Sequence, residues 1–176
     1  MITFCASSRN ITLARYEGMP RKQDAVDLNV GHEAIQHRGH RGGTEHALDR
    51  RRVYLFGFSA GSGFAINMSL LQSEYFAATA AYASISFKEQ FAEIAARKIP
   101  FSFTVGVKDE IFPVADARAG RDGLRARGFP VEWKEIAGAG HDYATNAAAI
   151  NQAAWEFFQQ HQLAVEPQYR DYQFRK

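Results

Sequence analysis

Residues 53–66 read VYLFGFSAGSGFAI, an apolar run that breaks at Gly57-Phe58-Ser59-Ala60-Gly61 and resumes with helical character. Val53–Phe58 is short, β-branched and aromatic, the make-up of a strand buried on both faces. Helical spacing follows from Ser62 to Leu71. The break fits G-x-S-x-G, a pattern whose chemistry needs a strand that stops abruptly and a helix that starts at once. A serine on that turn occupies strained backbone where bulky neighbours would clash, which accounts for a glycine two residues to either side. The helix behind it points free N–H groups and a positive dipole end at any developing oxyanion. The plainer alternative is a tight turn whose serine caps the helix.

A lone serine hydroxyl is a weak nucleophile, so a base and an orienting acid are needed elsewhere. For this turn the expected chain order is Ser, then Asp or Glu, then His, each just beyond the C-terminal end of a strand. Downstream, FSFTVGV (101–107) runs into Lys108-Asp109-Glu110, and VEWKEI (131–136) runs into Ala137-Gly138-Ala139-Gly140-His141. Parallel strands bring their carboxyl ends to one edge, where residues distant in sequence converge. His141 is therefore the expected base and Asp109 the expected acid. Glu110 is the adjacent alternate. Asp116 falls in the next helix and suits its first-turn dipole. Asp142 lies too near His141 in the chain to reach the far ring nitrogen easily.

The rest of the chain supports this frame. Phe76–Tyr82 reads as a strand, although its alanines weaken the pattern. Phe87–Lys98 reads as an amphipathic helix with Phe87, Phe91, Ile94 and Ala95 on one face, ended by Pro100. Val114–Arg127 has helical periodicity and stops at Gly128. Thr145–Gln162 reads as a helix with Ala149, Ala153, Phe157 and Phe158 toward the core. Strands alternating with helices of this length imply βαβ units and a largely parallel sheet, an α/β fold.

Residues 48–163, and above all DRRRVYLFGFSAGSGFA with IPFSFTVGVKDEIFPVADARAGRDGLRARGFPVEWKEIAGAGHDY, resemble the C-terminal half of an α/β-hydrolase. The branch they resemble is that of polyhydroxybutyrate depolymerases and feruloyl esterases. The resemblance implies Ser59 as nucleophile, Asp109 as acid, His141 as base and the Ala60 backbone N–H as one oxyanion donor. It implies no metal or organic cofactor. The implied substrate is an acyl ester, a polyester or an aryl ester, cleaved through an acyl-enzyme. A prolyl-oligopeptidase-type peptidase shares the same ending and is the neighbouring alternative.

Upstream the resemblance fails. Only 58 residues precede Ser59, fewer than such hydrolases use for their first strands and for the loop that gives a second oxyanion donor. Short strands around Ile2–Phe4 and Ile11–Tyr16 are weakly indicated, and residues 31–43 (GHEAIQHRGHRGG) read as loop. His40-Arg41-Gly42-Gly43 imitates an oxyanion-loop motif but leaves no room for the elements that should follow it. The expected organisation is thus an unassigned segment 1–44, a hydrolase core 45–165 lacking its N-terminal strands, and a tail 166–176. Missing strands would expose apolar sheet surface and favour a homodimer, and losing an oxyanion donor costs roughly 10²–10³ in rate. A catalytically weak remnant serving as an interaction module is therefore the reading from another class.

Composition narrows the field further. A net charge of +2, with arginines concentrated at 50–52 and 118–127 and no aromatic platform among them, gives no reason to expect nucleic acid. No apolar run approaches the roughly 18 residues of a membrane span, and no signal peptide is recognisable, so the expectation is a cytoplasmic chain, although related esterases are often secreted. Cys5 is the only cysteine, so no intrachain disulfide forms. His32, His37, His40 and His46 match no familiar zinc spacing, and no metal is expected. Phe58, Phe64, Phe112 and Tyr143 lie near the motifs, either as core or as walls of an acyl pocket.

Overall fold

A computed structural model describes residues 2–7, 10–13 and 49–167 of the chain. Six strands form one sheet in the order β2-β1-β3-β4-β5-β6: β1 Ile2–Ser7, β2 Asn10–Leu13, β3 Val53–Phe58, β4 Ala78–Tyr82, β5 Phe101–Gly106 and β6 Val131–Ile136. Strands β1, β3, β4, β5 and β6 run parallel, and β2 closes one edge antiparallel to β1. The helices are α1 Ala60–Leu71, α2 Glu89–Ile94, α3 Val114–Ala126 and α4 Ala147–Gln159. This is the α/β-hydrolase type of sheet, parallel and flanked by helices.

Alternation along β3 explains the layers. Val53 and Leu55 join the core formed with Ala65, Ile66 and Leu70 of α1, Ala92 of α2 and Leu124 of α3. Tyr54 and Phe56 point to the other face, where Ile150, Ala154, Phe157 and Phe158 of α4 cover them. Burial on both faces is why β3 and β4 read as continuous apolar runs. The weakly indicated N-terminal strands are both present, with Ala6 opposite Gly57, so β3 is an internal strand. Tyr16, residues 31–43 and the four histidines at 32–46 lie outside the described residues, as does the tail beyond Pro167.

Two helices depart from the sequence reading. The helix expected over Phe87–Lys98 spans only Glu89–Ile94, and Ile94, assigned to its buried face, is 65% exposed. The chain leaves the helix because Arg97 turns inward to donate to the carbonyls of Ser73, Phe76 and Ala77. Those are carbonyls of the turn joining α1 to β4, and they satisfy a guanidinium that is half-buried. In α4 the buried stripe is Ile150, Ala154, Phe157 and Phe158; Ala149 is exposed and Ala153 is only half-buried. A 3-10 turn at Ala144–Asn146 precedes α4.

Candidate active site

The sharp turn after β3 is built as the sequence suggests. Ser59 has φ 58° and ψ −127°, a conformation that non-glycine residues rarely adopt. Two hydrogen bonds and the start of a helix hold it there. Its N–H donates to the Tyr82 carbonyl at 3.1 Å, the Ser62 N–H donates to the Ser59 carbonyl at 2.9 Å, and α1 begins at Ala60. Gly57 is required by close approach: a Cβ there would lie 2.4 Å from the Gly61 carbonyl oxygen and 2.6 Å from the Ser62 Cα. The buried Ser62 hydroxyl lies 3.0 Å from the Gly57 carbonyl and 2.8 Å from the Tyr82 carbonyl, sharing one proton between them.

The other two expected residues meet Ser59 at the same rim. His141 Nε2 is 3.0 Å from Ser59 Oγ, and His141 Nδ1 is 2.9 Å from Asp109 Oδ2. A carboxylate only accepts, so Nδ1–H donates to Asp109 and Nε2 is left to accept from the serine hydroxyl. The Asp109 side chain is fully buried and that of His141 is 21% exposed. Asp109 Oδ1 accepts the N–H groups of Ile111 and Phe112 at 2.9 and 2.8 Å, which leaves Oδ2 facing the ring. Residues distant by 82 and 32 positions thus form one hydrogen-bonded chain.

The competing carboxylates are elsewhere. Glu110 points to solvent, and Asp116 sits exposed in the first turn of α3. Asp142 accepts from the Thr145 hydroxyl and from the amides of Ala144 and Thr145, which fastens the 3-10 turn ahead of α4. The Thr145 hydroxyl first, then those amides, hold its carboxyl below the usual range.

Aromatic rings crowd the imidazole. Phe58 and Phe112 have centroids 5.2 and 5.4 Å from that of His141. Tyr143 packs on Phe58 at 5.4 Å, and Phe64 is half-buried on α1. Ile111 and Val107, 63% and 40% exposed, lie on the stretch of chain that carries Asp109. Ala60, whose backbone N–H the sequence nominates as oxyanion donor, is exposed at the start of α1. Strand β1 ends at Ser7, one position past the Ala6–Gly57 pairing, and so reaches the rim where Ser59 sits. Among the described residues no three His, Cys, Asp or Glu side chains gather as a metal site, and no helix is long and apolar enough to cross a membrane.

Sequence reasoning missed two contributors, Ser62 and Tyr82. Ser62 reads as an ordinary first-turn residue. Tyr82 was legible in one respect, since a tyrosine inside an otherwise small, buried strand needs a partner for its hydroxyl.

Residues 29–169 match the profile of the dienelactone hydrolase family, some four-fifths of the chain. The chain belongs to the dienelactone hydrolase family. No curated protein matches this family member in sequence. Solved structures share its fold. Esterase PE8 superposes with a TM-score of 0.56 at 23% identity, over 63% of this chain and 52% of that one. The acylaminoacyl peptidase of Pyrococcus horikoshii gives 0.61 at 17% identity, over 82% of this chain and 28% of the peptidase. An α/β serine hydrolase homologue from Coxiella burnetii gives 0.54 at 21%, over 81% and 65%. This dienelactone hydrolase family chain therefore spans about half of the esterase and little more than a quarter of the peptidase.

Proposed function

We propose that the protein is a serine hydrolase that cleaves carboxylic esters through an acyl-enzyme, with Ser59 as nucleophile, His141 as base and Asp109 as orienting acid. The observation that carries this reading is the unbroken chain Asp109 Oδ2–Nδ1 His141 Nε2–Oγ Ser59, at 2.9 and 3.0 Å, on a serine held at positive φ. Ser59 Oγ attacks the ester carbonyl carbon while Nε2 takes its proton. The carbonyl oxygen becomes an oxyanion, met by the Ala60 N–H at the start of α1. As the tetrahedral adduct collapses, Nε2 returns the proton to the departing alkoxide, which leaves as the alcohol. Water then repeats the sequence on the acyl-serine: it gives a proton to Nε2, and the proton passes to Ser59 Oγ as the acid departs. Asp109 fixes the tautomer and stabilises the imidazolium formed in both halves.

Ester cleavage fits the family, whose name denotes hydrolysis of a lactone, a cyclic ester. The polyhydroxybutyrate-depolymerase and feruloyl-esterase branch is our narrower proposal, resting on the sequence resemblance of residues 48–163. A peptidase reading draws on the likeness to acylaminoacyl peptidase. Comparing p-nitrophenyl esters with peptide p-nitroanilides decides between the two. For the catalytic assignment, a fluorophosphonate probe should label the wild type and not Ser59→Ala. Equal labelling of the two, or none of the wild type, overturns it.

A further inference from the structure

We propose that Tyr82 is a positioning residue that ties the nucleophile turn to the histidine loop, so that Ser59 and His141 are held in register through one buried side chain. The inference rests on the catalytic reading above. Tyr82 ends β4, between Phe58 of β3 and Thr104 of β5. It is 0% exposed.

Its main chain holds the serine side of the site. The Tyr82 carbonyl accepts the Ser59 N–H at 3.1 Å and lies 2.8 Å from the Ser62 hydroxyl. Its side chain holds the histidine side. The phenol donates to the Gly140 carbonyl at 2.9 Å, with the Asp142 carbonyl 3.4 Å away, so the two contacts bracket His141. Burial pushes the phenol's pKa up, which keeps it a donor. The ring stacks at 5.7 Å on Phe58, the same ring that lies against the imidazole. One residue therefore touches both halves of the 3.0 Å Ser59–His141 contact without touching any reacting atom.

The strand end is itself constrained. Ala83 has φ 78° and is fully buried, and its N–H donates to the Thr104 carbonyl at 3.1 Å. The backbone bend there releases the chain from β4 directly after the clamp. The phenol itself lies on the α4 face of the sheet, with its hydroxyl on the carbonyls of the 140–142 stretch.

The substitution that isolates the hydroxyl is Tyr82→Phe. A built-in control exists in Tyr54→Phe: Tyr54 is also buried in the layer under α4, but near the start of β3, the end of the strand away from Ser59, and its hydroxyl donates to the His161 carbonyl at 2.7 Å. Both variants lose one buried hydroxyl bond to a carbonyl, so both should lose comparable stability. Only Tyr82→Phe should lower kcat on p-nitrophenyl acetate, by roughly 10- to 100-fold with KM changed little, because sub-ångström misplacement acts on the chemical step. Hydrogen exchange of the peptide covering residues 137–146 should speed up about tenfold in Tyr82→Phe and stay at the wild-type rate in Tyr54→Phe. If Tyr82→Phe matches Tyr54→Phe in both kcat and loop exchange, the clamp is only structural and the proposal is wrong. Exchange does not depend on turnover. A wild type that fails to react with the fluorophosphonate therefore refutes the catalytic reading, while the loop measurement still judges the clamp.

Discussion

Gly106→Ala tests how tightly the histidine loop is seated. Gly106 ends β5, and a Cβ there would stand 2.5 Å from the carbonyl oxygens of both Ala139 and Gly140. Ordinary contact begins near 3.4 Å, so the shortfall is 3.4 − 2.5 = 0.9 Å. Neither oxygen can swing away like a side-chain end, since both belong to backbone, and Ala139 O also accepts the Lys108 N–H at 2.8 Å. If β5 and the loop share the displacement, the loop moves by about 0.5 Å, and by about 0.9 Å if it moves alone. Directed along the 3.0 Å Nε2–Oγ contact, the smaller shift lengthens it to about 3.5 Å, the edge of hydrogen-bond range, and the larger to about 3.9 Å, beyond it. A misplacement of this size costs on the order of 10² in rate, and overpacking of this kind costs about 1–3 kcal/mol of stability. The assay is kcat/KM on p-nitrophenyl acetate together with the fluorophosphonate labelling rate, run well below the variant's thermal midpoint. Gly140→Ala is the matched comparison, because a Cβ there meets only Lys108 O at 3.4 Å, an ordinary contact. It should keep activity within about threefold. A folded Gly106→Ala with wild-type activity would refute the claim that this close approach sets the position of His141.

Asp109→Asn should lower kcat by on the order of 10⁴, because an amide can hold the ring in the wrong tautomer, while Glu110→Gln stays near wild type; steady-state kinetics on the pair decides which carboxylate is the acid. His161→Phe should raise stability by about 1–3 kcal/mol, because His161 Nε2 is buried with no partner among the described residues and its ring already sits edge-on to Phe157. Burial holds the His161 imidazole below its ordinary value of 6.5. The unfolded chain then takes up a proton that the folded one refuses, so wild-type stability falls as the pH drops below 6.5 and the variant's falls less; urea titrations across that range measure the difference. Glu135 is lowered to about 2, by the Arg118 guanidinium first and the Trp133 N–H second. Its contribution is complete above the ordinary 4.5 and is lost as the pH falls toward about 2, so the wild type and Glu135→Gln should converge in thermal midpoint over that interval.

Much of this site was legible because strand ends are legible. Val53–Phe58, FSFTVG and VEWKEI are each followed within five residues by a residue type that chemistry uses, and a parallel sheet brings those ends to one edge. The choice of Asp109 over Glu110 was harder to read. It turns on two amides, of Ile111 and Phe112, that close onto Oδ1 in the turn after β5, and no periodicity encodes a turn of that kind. The length of α2 was misread because FKEQFAEIAARK has helical spacing throughout, whereas the carbonyls that draw Arg97 inward lie some 20 residues earlier. In α4, Ala153 and Ala154 both stand one turn before Phe157 and Phe158, so spacing does not choose between them, and the buried stripe is the one that continues to Ile150.

The groups that hold the three side chains are mostly main-chain groups. Ser59 is fixed by the Tyr82 carbonyl, Asp109 by two amides, and the His141 loop by its approach to Gly106 and by the Lys108 amide. Side-chain identity matters at few of these points: the small residue at 57 and at 106, the hydroxyl at 62, the phenol at 82. Backbone geometry of this kind survives extensive exchange of core residues, provided volume and alternation are kept. Solved structures can therefore share this fold at 17 to 23% identity. At this rim the side chains left free by the scaffold include Ile111 and Val107, which lie exposed on the stretch that carries Asp109.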